Sequence, residues 1–255
     1  MAVYTLNEEG LKIDRNSIRP LALRNPDIDL PEKSRVWVHA VYSVSEADEY
    51  INKYGGIETD VVYKWGRFVI AHGENLLVSQ NANYTYLEDL LPPISAYIAG
   101  LQNKDKSLPY IWLDCKNLTE NIKEDFLQAM LALLDNAGIS PHNVIIETPV
   151  AEVLNYFGQY GFKTSYFFEP DVNKGDKYEN AESVNDAVER LSDGGKSVSY
   201  ISCNVRFYSV VNKAFPDMIK NYWYYGSSIQ MIIRSFFIRL AVMNRDDTGI
   251  LLIDY

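Results

Sequence analysis

The chain holds only two cysteines, Cys115 and Cys203, and three histidines among its 255 residues. Two cysteines in separate apolar runs supply neither a disulfide framework nor the ligand spacing of a zinc site. Positive charge is scarce as well: 24 Lys and Arg face 34 Asp and Glu, for a formal net charge of −10. Nucleic-acid and anionic-membrane surfaces need clustered cations to displace counterions, so both are excluded as broad partners and phosphate recognition must be local. Long hydrophobic runs are missing too. The most apolar segment, Ile229 to Met243, is interrupted by Arg234 and Arg239 and is too short and too charged to span a bilayer. Met1 to Glu9 lack the basic and apolar regions of a secretory leader, so a cytoplasmic location is expected.

What is present is a soluble globular profile, 47% hydrophobic and 23% charged, at a length near the roughly 250 residues of a (β/α)8 barrel. Residues 1 to 34 are polar, carry Pro20, Pro26 and Pro31, and read as an N-terminal extension with a short helix. From residue 35 to 255, β-branched and aromatic runs alternate with helical stretches, the pattern of a parallel sheet built from βα units. The strands are expected at Arg35 to His39, Ile57 to Val62, Tyr110 to Asp114, Asn143 to Glu147, Thr164 to Phe168, Ser197 to Cys203, Tyr222 to Tyr225 and Gly249 to Asp254. Between them, helices are expected from Ser45, from Tyr86 with a break at Pro92 and Pro93, from Thr119 to a stop at Gly138, and over Ala181 to Leu191 and Ser227 to Asn244. Eight strands with intervening helices predict a single-domain α/β fold, a closed (β/α)8 TIM barrel.

The chemistry gathers in Gly56-Ile57-Glu58-Thr59-Asp60-Val61-Val62. Residues two apart on a strand point to one face, so Glu58 and Asp60 converge. Like charges that close call for a cation, a shared proton or solvent. A barrel carries its active site at the C-terminal strand ends. His39 ends the first strand there, His72 follows the Phe68 to Ala71 run behind the second, and Asp114 with Lys116 ends the third. Glu147 ends the fourth, where a hydrogen bond to Lys116 or a neighbouring loop is expected of it. His142 precedes its strand and so lies at the opposite end, with no catalytic role. Cys115 should face the helix layer as a small hydrophobe, and Trp223 and Tyr225 share a strand face near the pocket.

These pieces resemble the PLC-like phosphodiesterase superfamily, which includes glycerophosphodiester phosphodiesterases, sphingomyelinase D-type enzymes and phosphatidylinositol-specific phospholipases C. The matching elements are His39, the E-x-D of Glu58-Thr59-Asp60, the apolar run ending in His72, and Asp114-Cys115-Lys116. Trp37-Val38-His39-Ala40-Val41-Tyr42-Ser43 also looks like the opening of the eukaryotic menorin-type members. The resemblance covers residues 35 to 117. It implies one divalent cation, Mg²⁺ first and Ca²⁺ as the alternative, held by Glu58, Asp60 and Asp114. It further implies His39 and His72 as the general acid/base pair and Lys116 as the phosphate contact, on a small or lipid-headgroup phosphodiester. The sequence departs from the glycerophosphodiesterase pattern in two places: Ala40 stands where Arg follows the first His, and Gly73 where Asp follows the second.

Two other readings stay open on the same residues. One is a metal-assisted lyase or aldolase acting on a sugar phosphate, with Asp114 and Lys116 as electrophile and base. The other is a binding protein that keeps the barrel without its chemistry.

Overall fold

The computed structural model of the chain describes residues 3–7, 10–14, 35–72, 84–102, 106, 108–169, 186–191, 198–224 and 245–253. Its barrel strands are β3 (Val36–Val38), β4 (Ile57–Lys64), β6 (Ile111–Cys115), β7 (Val144–Thr148), β8 (Lys163–Phe167), β9 (Tyr200–Asn204), β10 (Ile219–Tyr224) and β11 (Thr248–Ile253). Each pairs in parallel with the next, and the ring closes where β11 pairs with β3 and β3 with β4. All eight strands read from the sequence are present, each with its ends displaced by at most a few residues. A further strand, β5 (Arg67–Ile70), folds back antiparallel on β4 through Trp65-Gly66, outside the ring.

The helices lie where the turn chemistry puts them. Helix α1 (Val44–Tyr54) starts at Ser43, whose hydroxyl accepts the Glu46 N–H while the Glu46 carboxylate accepts the Ser43 N–H, and it stops at Gly55 in the left-handed region. Helix α2 (Leu87–Gly100) runs unbroken through Pro92 and Pro93, against expectation. The prolines cost it the N–H groups that would reach back one turn, but Leu90, Leu91, Ile94 and Ile98 are buried and hold that face to the barrel. Helix α3 (Lys123–Ala137) begins later than Thr119, because a turn closed by the Ile122 N–H on the Thr119 carbonyl comes first. Helices α4 (Ala151–Gly158) and α5 (Tyr208–Ala214) complete the labelled set, and residues 186–191 are helical. The helix expected over Ser227 to Asn244 lies outside the described residues, as do Gly73 and Tyr225. Among the described residues no helix is long and apolar enough to cross a membrane.

Before the barrel, β1 (Val3–Asn7) and β2 (Gly10–Asp14) pair antiparallel. The described part of the N-terminal segment is thus a hairpin, and the short helix expected there is not among the described residues.

Inside the ring, Trp37, Trp112, Ile145, Trp223, Ile250 and Leu252 form one apolar cluster that fills the barrel below the polar rim. Gly56 makes room for it: a Cβ there would lie 2.1 Å from the Trp37 indole. Overpacking of this kind costs about 1–3 kcal/mol, so Gly56→Ala is expected to lower the melting temperature by roughly 3–10 °C. Thermal denaturation followed by circular dichroism checks this, and an unchanged melting temperature would show that Trp37 yields freely.

Candidate active site at the barrel mouth

Glu58 and Asp60 stand two apart on β4, and the sheet register sets Asp60 beside Asp114 on β6 and Asp114 beside Glu147 on β7. Glu58, Asp60 and Asp114 each offer a carboxylate oxygen, all within 4.8 Å of one another. Glu58 and Asp60 are only 2% and 1% exposed. Such a cluster of buried acids is costly unless its charge is met.

Part of the answer comes from the turn after β3. The chain leaves that strand through Ala40 in a left-handed conformation, φ 61°, which residues with a Cβ seldom adopt. This turn aims the Ala40 N–H at Glu58 Oε2, 2.8 Å away, and the Val41 N–H at the Glu58 carbonyl, 3.0 Å away. The Tyr42 hydroxyl then donates to Asp60 Oδ2 at 2.5 Å. His39 places Nε2 3.6 Å from Glu58 Oε2.

A second contribution comes from the turn after β6. Lys116 sets its ammonium 2.6 Å from Asp60 Oδ1 and donates to Asp114 Oδ2 as well. Its backbone N–H is bonded to the Val61 carbonyl. The neighbouring Asn117 side chain donates to the Tyr63 carbonyl and accepts the Tyr63 N–H, at 2.8 and 2.9 Å. The acid-x-Lys turn is therefore pinned to β4, the strand that carries the other two acids.

The electrostatics follow from this crowding. Burial pushes Glu58 up to about 8, with the Asp60 and Asp114 charges adding to the rise and His39 opposing it. Burial also raises Asp114, against the pull of Lys116. For Lys116 itself burial acts downward, but Asp114 and Asp60 together outweigh it and hold the ammonium above its ordinary value. Glu147 is driven well above the usual carboxylate range, by burial first and by the Asp114 charge second.

Of the residues expected at the site, His39, Glu58, Asp60, Asp114 and Lys116 come together. His72 is exposed, and it follows Ala71, whose N–H donates to the Asp60 main-chain carbonyl at 3.2 Å. Glu147 does not bond Lys116, whose ammonium goes to Asp60 and Asp114 instead; its Oε2 is buried with no hydrogen-bond partner among the described residues. Cys115 packs in the helix-side core, as expected, with its thiol raised by burial. His142 lies before β7 at the far end, close to Gly161. Trp223 faces into the barrel, its ring parallel to that of Phe167 at 6.2 Å. The sequence reading missed the Tyr42 hydroxyl and the Ala40 turn. A tyrosine three residues after a strand-end histidine was the available cue to the first.

Three carboxylate oxygens fit a hard divalent cation. An ion bound at about 2.0–2.6 Å sets its ligands at most about 4–5 Å apart, which the 4.8 Å spread allows. The fold and the site define a (β/α)8 barrel with an acidic cluster, a lysine and an imidazole at its C-terminal mouth.

No protein-family model matches the sequence, and no curated protein matches it either. Solved structures do share the fold. One is described as a "putative glycerophosphodiester phosphodiesterase" from Galdieria sulphuraria. It is 17% identical, with a TM-score of 0.54 over 86% of this chain and 93% of that one. Another is a phosphodiesterase from Oleispira antarctica in complex with sn-glycerol-3-phosphate, 13% identical, with a TM-score of 0.48 over 85% of this chain and 92% of that one.

Proposed function

We propose that this chain is a metal-dependent phosphoric diester hydrolase acting on a small or lipid-derived, glycerophosphodiester-like substrate, with His39 and His72 as general acid and base. The observation that carries the reading is the convergence of Glu58, Asp60 and Asp114 within 4.8 Å, with His39 and Lys116 against them. The fold shared with the Galdieria protein supports the same chemistry.

Glu58, Asp60 and Asp114 would hold one cation, Mg²⁺ or Ca²⁺, which when bound would neutralise the acids and polarise a phosphoryl oxygen. Lys116 stays charged between Asp60 and Asp114 and brings ammonium N–H donors to the same phosphate. His39 brings its imidazole Nε2 to 3.6 Å from Glu58 Oε2, at the edge of the acidic cluster. His72 supplies the second imidazole. One of the two takes a proton from the attacking hydroxyl or water, and the other delivers one to the leaving oxygen. Attack by water gives a monoester, whereas attack by a substrate hydroxyl gives a cyclic phosphate, and phosphorus NMR of the products separates them.

The test is turnover of a glycerophosphodiester panel with EDTA, Mg²⁺ and Ca²⁺, alongside Asp60→Asn. Turnover is expected only with a cation, and Asp60→Asn is expected to raise the cation concentration needed by at least roughly tenfold. A chain that cleaves no diester, or cleaves equally well in EDTA, would overturn the reading.

A further inference from the structure

We infer that Tyr42 is a positioning residue for the cation site, acting through Asp60. The inference rests on the metal-dependent reading above and extends it to a residue outside the acid, lysine and histidine set.

Asp60 is the central member of the acidic row, and both its oxygens are engaged. Oδ1 faces the Lys116 ammonium at 2.6 Å, and Oδ2 accepts the Tyr42 hydroxyl at 2.5 Å. A carboxylate torsion is soft and nearly two-fold, so an acid that must present one chosen oxygen needs its other oxygen held. The Tyr42 O–H does this with a short, charge-assisted bond.

The phenol is itself well mounted. Upstream, the Ala40 and Val41 N–H groups are bonded to Glu58. Downstream, the Tyr42 and Ser43 N–H groups both donate to Glu46 Oε2, at 3.0 Å each, within the cap of α1. The segment from Ala40 to Ser43 is thereby fixed at both ends. It holds Glu58 through main-chain donors, which substitution leaves in place, and Asp60 through one side-chain oxygen, which substitution can remove. Outer groups that orient metal ligands typically contribute tenfold to a hundredfold in metal affinity.

Tyr42→Phe deletes that oxygen and keeps the ring. Calorimetric titration of wild type, Tyr42→Phe and Asp60→Asn with Mg²⁺ and with Ca²⁺ tests the inference, with melting temperatures recorded alongside. Tyr42→Phe is expected to melt within a few degrees of wild type yet bind the cation about 10–100-fold more weakly. Its deficit in turnover should shrink as the cation is raised, showing a defect in loading. If Tyr42→Phe binds as tightly as wild type while Asp60→Asn does not, the inference is overturned and the metal-dependent reading stands. If the wild type binds neither cation, that reading falls and takes the inference with it.

Discussion

His39→Ala is expected to lower kcat on a glycerophosphodiester by at least about a hundredfold, the usual cost of losing a general acid or base. The fold should survive the change. The main-chain N–H of His39, bonded to the Ile253 carbonyl at 3.0 Å, remains, and the imidazole is 12% exposed and set against Glu58. The loss of that neighbour removes an influence that lowers Glu58, so the metal-free variant should hold the Glu58 proton to higher pH than wild type. Steady-state kinetics, a pH profile and a melting curve together check this. Full turnover by both His39→Ala and His72→Ala would end the acid/base assignment.

The second large effect links pH, cation and stability. Glu58 sits at about 8 in the folded protein against an ordinary value of 4.5, raised chiefly by burial. Between those values the folded chain holds a proton that the unfolded chain has released. Stability is then fully present below pH 4.5 and declines as pH rises toward 8. The loss is on the order of 5 kcal/mol at most, at about 1.4 kcal/mol per pH unit for one group. Asp114, also raised, acts in the same direction. A divalent cation favours the ionised acids, so its stabilisation should be larger at pH 8 than at pH 5. Differential scanning calorimetry with and without Mg²⁺ or Ca²⁺ measures both slopes. Glu58→Gln should flatten the metal-free profile, and a wild-type profile as flat as that of the variant would refute the account.

The barrel was legible because each strand is a short β-branched or aromatic run set between helix signals. The acidic pair was legible because a two-residue spacing on a strand has one geometric meaning. Other features depended on contacts that no local pattern carries. The Arg67 to Ile70 run was visible, but its antiparallel return on β4 is fixed by pairing across the Trp65-Gly66 turn. The left-handed Ala40 has no sequence mark, since alanine does not favour that region; only the acceptors on Glu58 explain it. Pro92 and Pro93 read as a break because local propensity forbids them mid-helix, and buried Leu90, Leu91 and Ile94 overrode it. The N-terminal hairpin had no local mark, since Val3–Asn7 and Gly10–Asp14 are two five-residue strands defined by their antiparallel pairing with each other.

The seam between first and last strands has a consequence for assembly on the ribosome. Glu58, Asp60 and Asp114 lie on neighbouring strands, with Lys116 in the turn just after β6, so all four can meet early in synthesis. His39 cannot be fixed then, because its N–H waits for Ile253, and the Arg35 guanidinium waits for the carbonyls of Thr248 and Gly249. A nascent chain could thus assemble its acids well before its imidazole is locked, and full competence would come only when the terminal strand emerges and zips the ring shut.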